Sequence, residues 1–440
     1  MHWLLIGYMF LFIHRPFEVW PALGDLHVER VYMLVTMGVW LVAAPKRLLP
    51  NWQHLANAGF VTAVLACWVT SPWSAQGQPV VEDYLKIVVF YVLLVTSVSD
   101  ERGLKHVAMA LLGVMSLYLL HSLREYLGGR HTYRMGIARM LGVDKTYGDP
   151  NTFGASIVFV LPFVTAMWKS NVGGQLGRYW LMGYVALSGL CILLTGSRGS
   201  LMAFGVWVAI TILRGPKKWA WVAGVGLAAP VVFVALPESL QNRFHTIIDP
   251  SVGPANAQES GEGRIVGFFT GLELWGRSPL TGVGPGAWRP ATGSSIESHN
   301  LYGQLMGEMG GLGVATFAGV LACFAANLWR IRAVKRDFPE WENDLVFQVP
   351  AAIGTAVFLL LLLGAAGHNL FRYTWLWYGG LLIISRYCIE ARLQAVDAGE
   401  YEFEFASEDE EIEEEWPEGW SVHAGHEPVG AAAEVGERHS

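Results

Sequence analysis

The sequence has few charged residues. Only 15% of its 440 residues are Asp, Glu, Lys or Arg, whereas 53% are hydrophobic. Soluble domains contain about 25% charged residues, so this composition excludes a single water-soluble domain. No basic cluster carries interleaved aromatic residues, which argues against nucleic-acid binding. We therefore expect an integral membrane protein.

Cysteine is also scarce, and no C-x-x-C pair occurs. The four cysteines, Cys67, Cys191, Cys323 and Cys388, all lie in apolar runs. This placement is typical of small buried residues rather than disulfides or metal ligands. The first 13 residues lack a basic segment and a small-residue cleavage site, so we expect a retained first helix rather than a signal peptide.

Long apolar runs dominate the rest of the chain, and a membrane crossing needs about 20 such residues. Together they predict an all-α polytopic membrane protein with about 12 transmembrane helices over residues 1–395. The runs cover residues 3–16, 31–44, 54–71, 84–99, 104–121, 153–168, 179–195, 200–213, 218–236, 303–328, 347–366 and 372–389.

The charges between these runs predict an orientation. Alternate loops, from Lys46 and Arg47 to Arg386 and Arg392, contain about 15 basic residues, and the short loops on the other side contain about four. The positive-inside rule therefore places both termini in the cytoplasm. Two longer loops, at about 122–151 and 237–300, then lie outside, and we expect the second to contain short helices.

The end of the chain, residues 396–440, is strongly acidic. From residue 398 onward, acidic residues far outnumber the single base, Arg438, and the net charge of this segment is about −13. Since the whole chain has a net charge of −7, the rest of the chain has a net charge of about +6. With little apolar periodicity, this segment is predicted to be a disordered cytoplasmic tail.

The two outer loops are unusually rich in arginine. Their bases suit a basic cleft for an anionic substrate, although pairing with lipid phosphates is an alternative for any single arginine. The arginines are Arg124, Arg130, Arg134, Arg139, Arg243, Arg264, Arg277 and Arg289. These loops contain no D-x-D motif and no His/Cys cluster, so neither a metal nor another cofactor is expected.

Three sites combine charge with a membrane boundary. Arg198 lies in the turn G-S-R-G, where a guanidinium can bind phosphate or snorkel to the lipid surface. Arg264 is predicted in the first turn of a surface helix, where free N–H groups also favour an anion. His299 lies where the large loop re-enters the membrane, and it can accept a proton or serve as a structural hydrogen-bonding group.

Two further segments accompany these sites. Glu308 lies about two turns after His299 and should need a membrane-embedded partner such as an arginine. The last outer turn contains His368 and Arg372, where the histidine can orient His299, line a path for lipid, or be purely structural. The glycines of residues 282–286 lack the lysine of a Walker motif, so they are better explained by backbone geometry than by phosphate binding.

Taken together and in this order, the motifs resemble the O-antigen ligase and polymerase superfamily. The resemblance covers residues 139–312. It rests on G-S-R-G at 196–199, Arg264 before an aromatic helix, P-L-x-G-x-G-x-G-x-W at 279–288, H-N-x-Y at 299–302, E-x-G at 308–310 and G-D-P-N at 148–151.

The resemblance implies a fold like that of C-type glycosyltransferases, in the bacterial inner membrane, with the active site facing the periplasm. The implied reaction is metal-independent, inverting transfer of a glycan from a polyprenyl diphosphate to a hydroxyl of a lipid-linked or glycan acceptor, such as a lipopolysaccharide core. His299 would be the base, and Arg198 and Arg264 would bind the diphosphate. The supporting residues would be Arg139, Asn151, Asn300, Tyr302, Glu308, His368 and Arg372.

Other functions fit parts of the pattern. The same motifs occur in polymerases that join repeat units and in enzymes that glycosylate protein. A multipass transporter is the alternative of a different class, although the halves lack inverted symmetry in hydropathy. A purely structural membrane protein is disfavoured, because outer-face arginines are costly without a ligand.

Overall fold

The computed structural model describes residues 1–42, 46–134, 136–146, 148–247, 249 and 256–398. The predicted acidic tail lies outside the described residues from residue 399 onward. Helices dominate these ranges. In chain order they are α1 His2–His14, α2 Pro16–Val19, α3 Pro21–Asp25, α4 Val28–Val42, α5 Trp52–Val69, α6 Ser74–Ser97, α7 Glu101–Leu127, α8 Pro150–Lys169, α9 Gly174–Thr195, α10 Arg198–Leu213, α11 Lys218–Ala235, α12 Glu238–His245, α13 Asn256–Arg277, α14 Trp288–Thr292, α15 Leu301–Asp337, α16 Leu345–Gly364 and α17 Tyr373–Asp397.

Each of the twelve predicted apolar runs lies largely within one α-helix. Six helices in the described ranges are long and apolar enough to cross a membrane. They are α7, α8, α9, α11, α15 and α16. The structure therefore confirms an essentially helical chain with several candidate membrane spans, and the number twelve stays a prediction.

A β-hairpin lies between the helices in the first outer loop, and the sequence analysis did not predict it. Strand β1, His131–Arg134, pairs antiparallel with β2, Ile137–Met140. Gly136, at a φ of 73°, lies in the two-residue connection. Glycine suits such a turn because tight hairpin turns require positive φ angles.

The second outer loop is more helical than predicted. It contains α12 and α14, which are short, but also α13, which has 22 residues. Helix α13 begins at Asn256, so Arg264 lies more than two turns inside it rather than in its first turn. The N–H groups near Arg264 are therefore used within the helix, and the predicted contribution of a helix terminus at Arg264 is wrong.

Glycines allow α13 to pack closely along α15. A Cβ atom on Gly271 would lie 2.2 Å from the carbonyl oxygen of Gly303, and one on Gly303 would lie 2.3 Å from that of Gly267. Any larger residue would push the two helices apart. This contact holds the helix that carries Arg264 against the helix that begins directly after His299.

Helix α15 is broken at Gly310, which has a φ of 58° and a ψ of −159°. Segment 279–284 supplies the backbone partners that the broken helix lacks, as the apolar surroundings require. The hydrogen bonds are Val283 N to Gly307 O (2.9 Å), Gly284 N to Glu308 O (2.9 Å), Gly311 N to Pro279 O (2.8 Å) and Leu312 N to Leu280 O (3.0 Å).

The glycines of this segment serve that pairing. Gly282, Gly284 and Gly286 all have positive φ angles. A Cβ on Gly282 would lie 2.5 Å from the backbone of Glu308, and one on Gly284 would lie 2.4 Å from Ser71. The interpretation of this glycine run as backbone geometry is therefore confirmed.

Candidate active site

Three helices begin with a polar N-cap around one cavity. Asp149 caps α8 by accepting hydrogen bonds from the backbone N–H groups of Asn151 (3.0 Å) and Thr152 (3.2 Å). Ser197 caps α10, and Asn300 caps α15 through Tyr302 N (2.9 Å) and Gly303 N (3.0 Å). The starts of α8 and α10 line the cavity, and helix N-termini carry partial positive charge that favours an anion, although the Asp149 carboxylate already offsets that of α8.

The cavity has a volume of about 720 Å³. It lies among the starts of α8 and α10, one face of α13, the loop before α15 and the loop between α16 and α17. Five residues proposed from the sequence line it directly: Asn151, Arg264, His299, His368 and Arg372. Residues separated by more than 200 positions thus line one cavity.

Arg198 lies beside this cavity, since its neighbours Ser197 and Gly199 line the wall. It is the first residue of α10 and is half-buried; its Nη1 donates to Thr246 Oγ1 at 2.9 Å. Burial and the positive charge of Arg198 both lower the pKa of Arg264. The two guanidinium groups therefore repel each other, and binding of an anion beside them would offset that repulsion.

Two imidazole rings face the cavity together. The ring centroids of His299 and His368 are 5.6 Å apart and the rings are tilted by 34°. Each ring is accessible from the cavity. Protein nevertheless encloses His368 on its other sides, and this burial, with the nearby charges of His299 and Arg372, lowers its pKa to about 4. His368 is therefore a neutral ring at neutral pH.

Two of the predicted supporting residues have clear structural partners. Arg372 is 7% exposed; its Nη1 donates to Ser156 Oγ at 2.9 Å, and its guanidinium faces the Phe159 ring. Arg139 is 2% exposed and does not line the cavity. It ties the hairpin to the helices, because Nε donates to Thr195 O (2.7 Å) and Nη2 to Asn151 Oδ1 (2.8 Å).

The other predicted residues lie outside the cavity lining. Asn300 is the α15 cap, and Tyr302 donates from its hydroxyl to Leu361 O at 2.9 Å. Glu308 is fully buried and accepts from Gln304 Nε2 at 3.1 Å. The partners of Glu308 are thus the Gln304 amide and the backbone of Gly286 and Trp288, whereas we expected a residue such as an arginine.

Three acidic residues, Asp149, Glu273 and Glu297, also line the cavity and were not among the predicted site residues. Glu273 pairs with Arg277 along α13, and Glu297 pairs with Arg289 at 2.8 Å. Burial raises the pKa of Glu297, whereas Arg289 lowers it. Asp149, also acidic, is committed to the α8 cap. The lining is therefore mixed in charge, not uniformly basic, although the Asp-Pro-Asn start of α8 is a recognisable N-cap signal.

The comparison with known families bears on this same region. Residues 183–318, which include Arg198, Arg264 and His299, match the O-antigen ligase family. These residues belong to the O-antigen ligase superfamily. No curated protein matches the chain.

The O-antigen ligase match confirms the resemblance noted in the sequence. With the apolar helices, it supports a bacterial membrane protein with glycosyltransferase-like activity on lipid-linked glycans. The match ends at residue 318, so His368 and Arg372 lie beyond the O-antigen ligase segment, although they line the same cavity.

Proposed function

We propose that the protein transfers a glycan from a polyprenyl diphosphate to an acceptor hydroxyl at the periplasmic face of the bacterial inner membrane, as O-antigen ligases do. One observation carries this proposal: Arg264, His299 and the turn that contains Arg198 meet at a single cavity. A diphosphate and a sugar hydroxyl are the two groups that such a cavity suits.

The arginines act on the leaving group. As the bond between the sugar C1 and the diphosphate oxygen breaks, its electron pair moves to the diphosphate, whose negative charge grows. Fixed positive groups stabilise this charge most strongly in the transition state. Arg198, Arg264 and the N-terminus of α10 are the groups in place, and bidentate guanidinium–phosphate contacts also fix the donor's orientation.

The imidazole of His299 acts on the nucleophile. It accepts the proton of the acceptor hydroxyl while the hydroxyl oxygen forms the new bond to C1. General-base catalysis of this kind contributes about 10² to 10⁴-fold to a rate. A single displacement inverts the configuration at C1. The outer loops contain no D-x-D motif and no His/Cys cluster, so the proposed reaction is independent of metal and we expect a chelator to leave the rate unchanged.

Within this class we favour a ligase whose acceptor is the lipopolysaccharide core. Deletion of the gene separates the candidates through the surface glycan. Complete polymer left on its lipid carrier supports a ligase, and glycans of a single repeat support a polymerase. Glycan missing from a secreted protein supports protein glycosylation. A transporter would leave the glycans of the membrane chemically unchanged.

The direct test is glycan transfer by the purified protein in vesicles. A defined polyprenyl-diphosphate glycan is mixed with a lipopolysaccharide core, with repeat units or with an acceptor peptide, and the products are analysed by mass. We expect transfer to the core and a product of inverted configuration. Absence of transfer to all three acceptors by folded protein would contradict the proposed function.

A further inference from the structure

His368 lies outside the matched family segment, yet it faces the proposed base. Its loop joins α16 to α17 and is tightly held. Asn369 is 5% exposed and donates from Nδ2 to Leu360 O at 2.9 Å, and its carbonyl oxygen accepts from Trp375 Nε1 at 2.9 Å. A ring on a loop fixed in this way has a defined position relative to the cavity.

His299 is also held by its immediate neighbours. Ser298 is 2% exposed and donates from Oγ to Asn300 O at 3.0 Å, and Asn300 caps α15. The centroid separation of 5.6 Å places the two rings within reach of a direct or a one-water hydrogen bond. The loop between α16 and α17 thus holds the His368 ring next to the His299 ring, although the two residues are distant in sequence.

Nearby groups have opposing effects on the pKa of His368. Asp149 at the start of α8 favours a charged ring, while His299, Arg289 on α14 and Arg372 before α17 disfavour it. The effects of burial and of the positive groups are larger than that of Asp149, so the pKa of His368 is lowered. A neutral imidazole has one nitrogen that accepts a hydrogen bond, whereas a protonated one only donates.

We propose that His368 is a positioning residue that accepts a hydrogen bond from one ring nitrogen of His299. This contact selects the tautomer of His299 whose other nitrogen carries the lone pair and faces the acceptor hydroxyl. An oriented partner is how an imidazole base is usually held in the correct tautomer. The inference rests on the proposed function and adds a residue to it.

A proton carrier is the competing role for the same ring. In that role His368 would take the proton from His299 after each transfer. The low pKa of His368 argues against it, because a weakly basic ring holds a proton poorly at neutral pH. The two roles differ in what can replace histidine, since an amide oxygen accepts a hydrogen bond but does not carry a proton.

The test compares His368→Ala and His368→Gln in the vesicle assay with polyprenyl-diphosphate glycan and core acceptor. We expect His368→Ala to lower kcat by about 10- to 100-fold, less than complete loss of a base, while KM for the donor stays within about twofold. His368→Gln should restore most of kcat. His131→Ala, on the hairpin and outside the cavity lining, is the control and should match the wild type.

The outcomes separate this inference from the proposed function. If the wild type transfers glycan and His368→Ala has the same kcat, only the positioning role is overturned. A folded His368→Gln enzyme that is as slow as His368→Ala also overturns it, and this is the result expected for a proton carrier. Absence of transfer by the wild type overturns both proposals. If His368→Ala fails to fold, His368→Leu, which also lacks an acceptor, takes its place, and the comparison with His368→Gln is made in the same way.

Discussion

Single side chains in this protein divide into those that face the cavity and those that hold it together. Arg264 and His299 belong to the first group, since both line the cavity. Arg139 is of the second kind. Like Arg264, it belongs to an outer loop, but its guanidinium donates hydrogen bonds to Thr195 and Asn151.

Replacing Arg139 therefore tests stability rather than chemistry. Arg139→Ala leaves the buried Thr195 O without its donor, which costs about 1–3 kcal/mol, whereas the exposed Asn151 Oδ1 can bind water instead. We expect a lower thermal unfolding midpoint in detergent. Arg330→Ala, at an exposed position, is the control and should leave the midpoint unchanged. An unchanged midpoint for Arg139→Ala would contradict the structural role.

At the level of residues, sequence predicted the cavity-facing groups better than the supporting ones. Arg264, His299, His368 and Arg372 all line the cavity, as their positions at membrane boundaries suggested. Arg139 could not be separated from them, because burial and hydrogen-bond partners depend on contacts distant in sequence. For the same reason the glutamine beside Glu308 was not foreseen.

Helix ends and helix contacts are the elements that build the cavity. Three polar N-caps begin α8, α10 and α15 there, and the glycine contact between α13 and α15 sets the distance from Arg264 to His299. The breaks in regular structure, at Gly310 and along segment 279–284, form a single paired unit beneath it.

Gly271→Ala tests the contact between α13 and α15. The new Cβ would lie 2.2 Å from Gly303 O, so the helices must separate, and overpacking of this kind costs about 1–3 kcal/mol. We expect a lower unfolding midpoint and slower transfer. Gly276→Ala is the matched control on the same helix, since its Cβ meets nothing within 4 Å. Equal behaviour of the two variants would contradict the proposed spacing.

Elements were predicted unevenly from the sequence. Long apolar runs have strong signals, and each of them lies largely in a helix. The start of α13 was misplaced, because the apolar stripe begins at Ile265 while the helix extends back to Asn256. The hairpin was missed because its four-residue strands carry too short an alternation to stand out.

We expect the protein to lie in the membrane with the cavity facing the periplasm. Labelling of single cysteines tests this orientation. Ser295 and Lys217 are both exposed and lie in loops predicted on opposite sides. We expect a membrane-impermeant thiol reagent to label Ser295→Cys in intact spheroplasts and Lys217→Cys only after permeabilisation. The native cysteines are buried or half-buried, which keeps the background low. The reverse pattern would contradict the orientation.

The central claim is that arginines hold the donor's diphosphate while His299 accepts a proton in the same cavity. The most direct measurement is the single-turnover transfer rate as a function of donor concentration in vesicles. We predict that Arg264→Ala lowers the maximal rate and also raises the half-saturating donor concentration, because Arg264 contacts the diphosphate before and during bond breaking. We predict that His299→Ala lowers the maximal rate by about 10² to 10⁴-fold without raising that concentration. Full activity of His299→Ala, or wild-type rate and saturation for Arg264→Ala, would contradict the claim.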